Sequence, residues 1–336
     1  MRKVFKSLHV GRHGVELVMD ALLDKLRSKL LFDSHADQFF EHHGSLIKLD
    51  QSRFAYLTND DSAVTAVFVD GGSAELFSAA DFSLYFFRIA SVQYQGKKQV
   101  RHDLRELYAF IDVDDEKSLR IQLFGVDEQF SHELHQRAAQ FFARHPIEHD
   151  LSAVGSALLQ LGEYIEIARL ARELQPKDLI VRDGSLDVFF EVFSDSVDLL
   201  TQRQIFLCGL AKTNTLRTTS GRSVSFVLEK KSNIGSWYYP ITKHLFFTKL
   251  HPKAKQVFRC DVVLPHYSIF SAHAADPTFL GYPYGLIEAD RMARVSMDES
   301  SFMRKTMKMK LGKDAANLDI LLGTSAAHGI LDKMRF

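Results

Sequence analysis

Two short stretches each carry an acid at the end of an apolar run, followed by glycine. TAVFVDGGSAEL (65–76) holds Asp70 and DLIVRDGSLDVFF (178–190) holds Asp183. Glu163 lies in LLQLGEYIEIA and Asp290 in YGLIEADRMAR, both helix-like segments. The apolar runs read as strands, so Asp70 and Asp183 are expected at strand ends that lead into glycine turns. Carboxylates gathered in one place repel one another and call for a divalent cation. Hard oxygen ligands suit Mn2+ or Mg2+. One or two such ions support phosphodiester hydrolysis by activating water and stabilising the leaving oxygen. The glycines remove bulk where a phosphate backbone would approach. Singly, each acid is ordinary: Asp before Gly is a common turn residue, and a helical Glu commonly faces solvent. The four together point to a metal centre.

The elements that must position these acids can be read from periodicity. Apolar residues in 12–32 recur at the spacing of an amphipathic helix. Strands are expected over 63–70, over 76–95 as one or two strands, to about 115 in LRELYAFIDVDD, and in SLRIQLFGVD. DLSAVGSALLQLGEYIEIARLARELQ (150–175) is helical, with Pro176 as its stop signal. A strand over 178–182, a helix in DSVDLLTQRQ, the strand QIFLCGLAKT, a late strand in 254–265 and a helix after GYPYG follow. Residues 315–336 read as helical with a terminal tail. This order predicts a mixed α/β protein.

The chain has 336 residues, 46% apolar and 25% charged, the composition of a globular protein with a sizeable core. Lys plus Arg balances Asp plus Glu at 42 each, so net charge argues neither for nor against nucleic acid. Cys208 and Cys260 lie in apolar runs without metal-site spacing, which speaks for buried thiols in a reducing compartment. No signal-like or membrane-spanning run of about 18 apolar residues is found, so a cytoplasmic protein without a membrane contact is expected. The absence of a GxxxxGKS loop means that any ATP-driven motor must be a partner. A GxSxG elbow is absent as well.

Other features have two readings. Trp237, Tyr238 and Tyr239 offer a base-stacking platform or a place in the core. Arg217, Arg222, Lys243, Lys249, Lys253, Lys255 and the basic run RKTMKMKLGK (304–313) offer phosphate contacts or a solvated surface. His42 and His43 read as surface residues. Ser73 and Ser185 read as turn caps.

VFVDGGS at 67–73, LLQLGE at 158–163, LIVRDGSL at 179–186, GLAKT at 209–213 and YPYGLIEADRMARV at 282–295, with the terminal SAAHGILDKMRF, resemble the NurA family of nucleases. The blocks stand in the family's order across residues 67–336. The resemblance implies an RNase H-like mixed sheet flanked by helices, with further helices at both termini. Residues 61–336 would form the nuclease domain; residues 1–60 match none of these blocks and are read as an N-terminal helical segment for dimerisation or partner docking. The resemblance implies a Mn2+- or Mg2+-dependent DNA nuclease with 5′-to-3′ exonuclease and single-strand endonuclease activity. Such a nuclease would be a homodimer docked on a HerA-type hexameric translocase in DNA end resection or phage defence. It makes Asp70, Glu163 and Asp183 metal ligands, with Glu166 the alternative on the helix. Asp290 stands where the family often has His. Lys212, in GLAKT, would contact the phosphate. Arg182 precedes Asp183 and strand alternation points it to the opposite face.

Overall fold

The computed structural model describes residues 12–30, 37–42, 44–57, 65–114, 118–125, 127–146, 150–264 and 273–325. Along the chain run helix α1 (Arg12–Leu30) and strands β1 (Phe39–His42), β2 (Ser45–Lys48), β3 (Ala55–Tyr56), β4 (Thr65–Ser78), β5 (Phe82–Gln95), β6 (Lys98–Val113) and β7 (Leu119–Gly125). Then come α2 (Glu128–Arg144), α3 (Leu151–Glu173), β8 (Leu179–Asp183), α4 (Asp187–Val192), α5 (Ser194–Gln202), β9 (Phe206–Ala211) and α6 (Val224–Lys231). β10 (Trp237–Pro240), β11 (Leu245–Lys249) and β12 (Phe258–Val262) precede α7 (Tyr284–Ala293), α8 (Met297–Leu311) and α9 (Ala315–Ser325). His43, residues 1–11 and the tail 326–336 lie outside the described residues.

Contacts divide the chain into two units. One comprises the described residues up to Ser52 together with Thr215–Asn233. In it β1 and β2 pair as an antiparallel hairpin with Phe40 fully buried. Buried Asp37 pairs with Arg222 at 3.1 Å, so Arg222 is a structural partner rather than a free phosphate contact.

The other unit is built on a ten-stranded sheet in the order β3-β10-β11-β12-β9-β8-β4-β5-β6-β7. β4, β5 and β6 form an antiparallel meander. The chain then crosses through α3 to β8, parallel to β4, and on to β9, parallel to β8. This β6-β5-β4-β8-β9 arrangement is the expected RNase H-like sheet. β7 extends it on one side, and β12, β11, β10 and β3 extend it antiparallel on the other.

Helices cover both faces because β4 and β8 are apolar on both. Val67, Val69 and Ile180 pack with Leu158, Leu161 and Ile165 of α3. Ala66, Phe68, Leu179 and Val181 pack with Leu286 and Ala289 of α7 on the other face. α3 is apolar nearly all round, as a helix buried between neighbours must be. It starts where the Asp150 carboxylate accepts from the Ala153 N–H at 3.0 Å, and ends at Leu174, two residues before Pro176.

Trp237 and Tyr239 are fully buried, packed edge-on against Phe54 at 5.0 and 4.8 Å. A stacking platform of three aromatics is therefore excluded: alternation along β10 sends two of them into the core. Lys249 is also buried, which removes it from the candidate phosphate contacts.

Candidate metal centre

β4 does not end at Asp70. It continues through Gly71 and Gly72 to Ser78, paired with β5, so no turn follows this acid and Ser73 sits within the strand. The glycines serve close approach instead. A Cβ on Gly71 would lie 2.5 Å from Glu163 Oε1, and one on Gly72 would run into the Ala293 carbonyl of α7. Bare backbone at 71–72 lets α3 and α7 meet the middle of β4, one from each face.

The second acid does end its strand. Gly184 takes φ +112°, a region open to glycine. Its N–H donates to Leu210 O at 3.0 Å. Arg182 Nη1 donates to Ser185 O at 2.7 Å and the Tyr164 hydroxyl donates to the same carbonyl at 2.9 Å. The Leu186 N–H donates to buried Asp261 at 2.9 Å. Ser185 thus contributes its carbonyl to a tightly held turn that presents Asp183.

Alternation along β8 places Arg182 on the α3 face, where it meets Glu163. Arg182 Nε donates to Glu163 Oε2 at 2.6 Å, both side chains are buried, and the guanidinium lies over the Tyr164 ring at 4.8 Å. Asp183 receives Lys212 Nζ at 2.6 Å and the Tyr282 hydroxyl at 3.0 Å. Asp290, on α7, is exposed.

Asp70 is the electrostatic centre of the group. Burial, then the charges of Glu163, Asp183 and Asp290, push its carboxyl up to about 8, against a bond from the Gly71 N–H. Burial also raises Glu163, although Arg182 pulls it down. Tyr282 is raised by burial and by Asp183. The four acids proposed from sequence, drawn from β4, α3, β8 and α7, therefore share one field, and Lys212 stands at its rim.

Glu166 does not belong to the group. It accepts from Ser91 at 2.9 Å, from Arg105 at 2.8 Å and from Arg169 at 2.6 Å. Burial works against its charge, yet Arg169 and Arg105 hold it below its usual value. Glu166 ties α3 to the sheet, and Glu163 is the helix acid that lies against Gly71, next to Asp70. Arg182, Tyr164 and Tyr282 were not read as site residues. Only the position of Arg182 next to Asp183 and of Tyr164 next to Glu163 hinted at them.

The donor chemistry fits a hard divalent cation: four carboxylates, one of which, Asp70, is pushed up to about 8 by burial and by the neighbouring acids. Among the described residues, however, no three His, Cys, Asp or Glu side chains close to metal-holding spacing. Glu163 and Asp183 are each drawn instead to a cation of the chain itself. Among the described residues no helix is long and apolar enough to cross a membrane.

No protein-family model matches the chain, and no curated protein sequence does. Among solved structures it is similar to Aquifex aeolicus Argonaute, at 12% identity and a TM-score of 0.30, over 69% of this chain and 28% of that one. It is similar to endonuclease V from Bacillus subtilis at 13% identity and a TM-score of 0.35, over 77% and 90% of the two chains. It is also similar to Ciona intestinalis endonuclease V in complex with inosine-containing DNA, at 12% identity and 0.35, over 86% and 99%. The chain spans less than a third of the Argonaute it matches. Overlaps this loose carry neither activity nor substrate across.

Proposed function

We propose that the chain is a divalent-metal-dependent DNA nuclease that hydrolyses phosphodiester bonds. The observation that carries this reading is the convergence of Asp70, Glu163, Asp183 and Asp290 from four separate segments, with Asp70 left short of counter-charge. Asp70, Glu163, Asp183 and Asp290 would hold one or two Mn2+ or Mg2+ ions. When bound, such an ion polarises water and phosphoryl oxygens and neutralises charge that develops on the leaving oxygen.

The chain's own residues prepare the site. Arg182 holds Glu163 against the Asp183 turn. Burial and the neighbouring acids favour the neutral form of Asp70, and a carboxylate binds a cation only in its ionised form, so cation binding would be linked to proton release. Exposed Lys212 is within reach of a substrate phosphate at the rim. The order of the NurA-like blocks supports the finer reading: 5′-to-3′ exonuclease and single-strand endonuclease action, as a homodimer with a HerA-type translocase, in end resection or phage defence. The missing ATP-binding loop agrees with a motor supplied in trans.

The second reading is a non-catalytic adaptor of such a translocase, and the pairing of Glu163 and Asp183 with internal cations favours it. Cleavage of labelled single- and double-stranded DNA with Mn2+, Mg2+ or EDTA separates the two, with and without the translocase. Metal-dependent cutting that Asp183→Ala abolishes supports the nuclease. Folded protein that cuts under no condition supports the adaptor, and cutting that survives Asp183→Ala places the active site elsewhere.

A further inference from the structure

A cavity of about 340 Å³ opens at the far end of β5 from the acids. Tyr94 of β5, Lys97 in the turn to β6, His273, Asp276 and Tyr284, the first residue of α7, line it. Its volume is at the lower end of the range for small-ligand pockets. Tyr94 stands 6.3 Å from Tyr284 and 5.8 Å from His273, at interplanar angles of 81° and 74°. Phe68 backs the group, 5.9 Å from Tyr94 and 5.1 Å from His273, again edge-on. These rings do not stack on one another, and Tyr284 is 37% exposed, so its face is available to a third flat group. Tyr94 is only 3% exposed, yet among the described residues neither its hydroxyl nor a ring nitrogen of His273 has a hydrogen-bond partner. Buried polar groups are almost always satisfied, so two unpaired ones on the wall of one cavity point to a ligand. Burial, then the charge of Lys97, holds His273 down at about 4 and favours the neutral imidazole, which offers one donor and one acceptor.

We propose that this cavity is a nucleobase pocket: it takes one base of a DNA strand, stacked on Tyr284, with the hydrogen-bonding edge of the base on the Tyr94 hydroxyl and the His273 ring. This deepens the reading of the chain as a DNA nuclease and rests on it. A base is flat, has a π-face and carries donors and acceptors along its edge, which a phenol and a neutral imidazole both match. Exposed Lys97 at the rim offers a contact to the attached phosphate. Asp276 is occupied with the Thr278 N–H at 2.8 Å. Register places the pocket relative to the acids: Tyr94 pairs with Ala66 and Ala90 with Asp70. Four residues of strand, about 13 Å, separate the two levels. A stacked strand rises about 3.4 Å per nucleotide, so the bound base would lie about four nucleotides from the acids, and fewer in an extended strand. A base in a duplex is held in the stack, so the pocket favours a single strand.

The test is fluorescence anisotropy of the full-length chain in EDTA, where no metal-dependent cutting occurs, with melting temperatures measured in parallel. The probes are a labelled oligothymidylate and an abasic strand of the same length, which keeps the phosphates and lacks the bases. Wild type is expected to bind the oligothymidylate about tenfold more tightly than the abasic strand. Tyr284→Ala should lose about tenfold on the oligothymidylate and nothing on the abasic strand. Tyr94→Phe keeps the ring and removes a hydroxyl that holds nothing in the protein. It should weaken oligothymidylate binding about fivefold with a melting temperature unchanged or raised, whereas a structural hydroxyl would lower it. Equal binding of the two strands by wild type would overturn the proposal, as would losses of equal size on both strands in the variants. Thymidine and deoxyadenosine monophosphates are tested beside them by equilibrium dialysis. Binding confined to these and weakened by Tyr94→Phe would assign the pocket to a free nucleotide and overturn its assignment to the strand. The failures are distinguishable. Base-dependent binding by protein that cuts no DNA with any metal removes only the nuclease, and metal-dependent cutting without base-dependent binding removes only the pocket.

Discussion

Replacing Asp70 by asparagine removes a charge that the metal-free protein must bury and keeps the shape of the side chain. The Gly71 N–H bond to Oδ1, 2.8 Å long, is available to the amide oxygen as well. The carboxyl titrates at about 8 in the folded chain against an ordinary 3.8, so the folded state binds this proton more tightly than the unfolded chain does. Stability of the metal-free protein therefore falls as pH climbs from 3.8 towards 8, and the full penalty is present above 8. At 1.36 kcal/mol per pH unit, the span corresponds to roughly 6 kcal/mol as an upper bound. Water and side-chain relaxation in a site open at one edge return much of this, so Asp70→Asn is expected to stabilise by about 1–3 kcal/mol at pH 8. For a chain of this length that is a rise of about 1.5–4 °C in melting temperature. At pH 4 the gain should almost vanish, because the wild-type Asp70 is then protonated and other titrating groups cancel in the comparison. Differential scanning calorimetry in EDTA across pH 4–8.5 measures this directly. A gain independent of pH, or a loss of stability at pH 8, would refute the crowding of these carboxylates.

Three further outcomes follow from the same geometry. Arg182→Met should cost about 3–5 kcal/mol in urea unfolding, because it leaves Glu163 buried and unpaired; adding Glu163→Gln should return most of that loss, and a double variant as unstable as the single one would contradict the pairing. Gly72→Ala drives a methyl into the Ala293 carbonyl and should cost about 1–3 kcal/mol while weakening Mn2+ binding, whereas Gly323→Ala, whose methyl meets nothing, should be close to neutral; melting curves and Mn2+ titrations check both. His273 is held down at about 4 by burial, so its contribution to stability is present above pH 6.5 and is lost as pH falls towards 4. His273→Gln should flatten the melting temperature between pH 7 and 4.5.

The candidate acids could be picked out because they sit in runs with strong local signatures. Asp183 was placed at a strand end by LIVRDGS, and the strand does end there, since Gly184 reverses the chain. The same Asp-Gly signature misled at Asp70. Whether a glycine pair makes a turn or a gap depends on what packs against it, and the partners, Glu163 and Ala293, lie 92 and 221 residues further along the chain. Glu163 and Glu166 stand one turn apart on α3 and are equivalent in a local window. Helix phase against the sheet decides between them, sending Glu163 to Gly71 and Arg182 and Glu166 to Ser91 and Arg105. Alternation correctly sent Arg182 to the face opposite Asp183, but its partner there comes from a helix, which periodicity within β8 does not reveal. The parity of β10 was equally hidden: WYY must alternate, yet only the packing of Phe54 shows that Trp237 and Tyr239 are the inward pair. The succession of strands, helix and strands, by contrast, was readable from the periods of the segments, whereas their pairing into an RNase H-like sheet was expected only from the resemblance to the NurA family.

The central claim is that Asp70, Glu163, Asp183 and Asp290 form one cation-binding centre. Anomalous diffraction from a crystal soaked in Mn2+ tests it most directly. The account predicts a manganese peak within coordination distance of Asp70 and Asp183, with Glu163 or Asp290 completing the protein ligands and Lys212 shifted away from Asp183. Strong manganese peaks found only at other sites, with the Lys212–Asp183 and Arg182–Glu163 pairs intact, would contradict it.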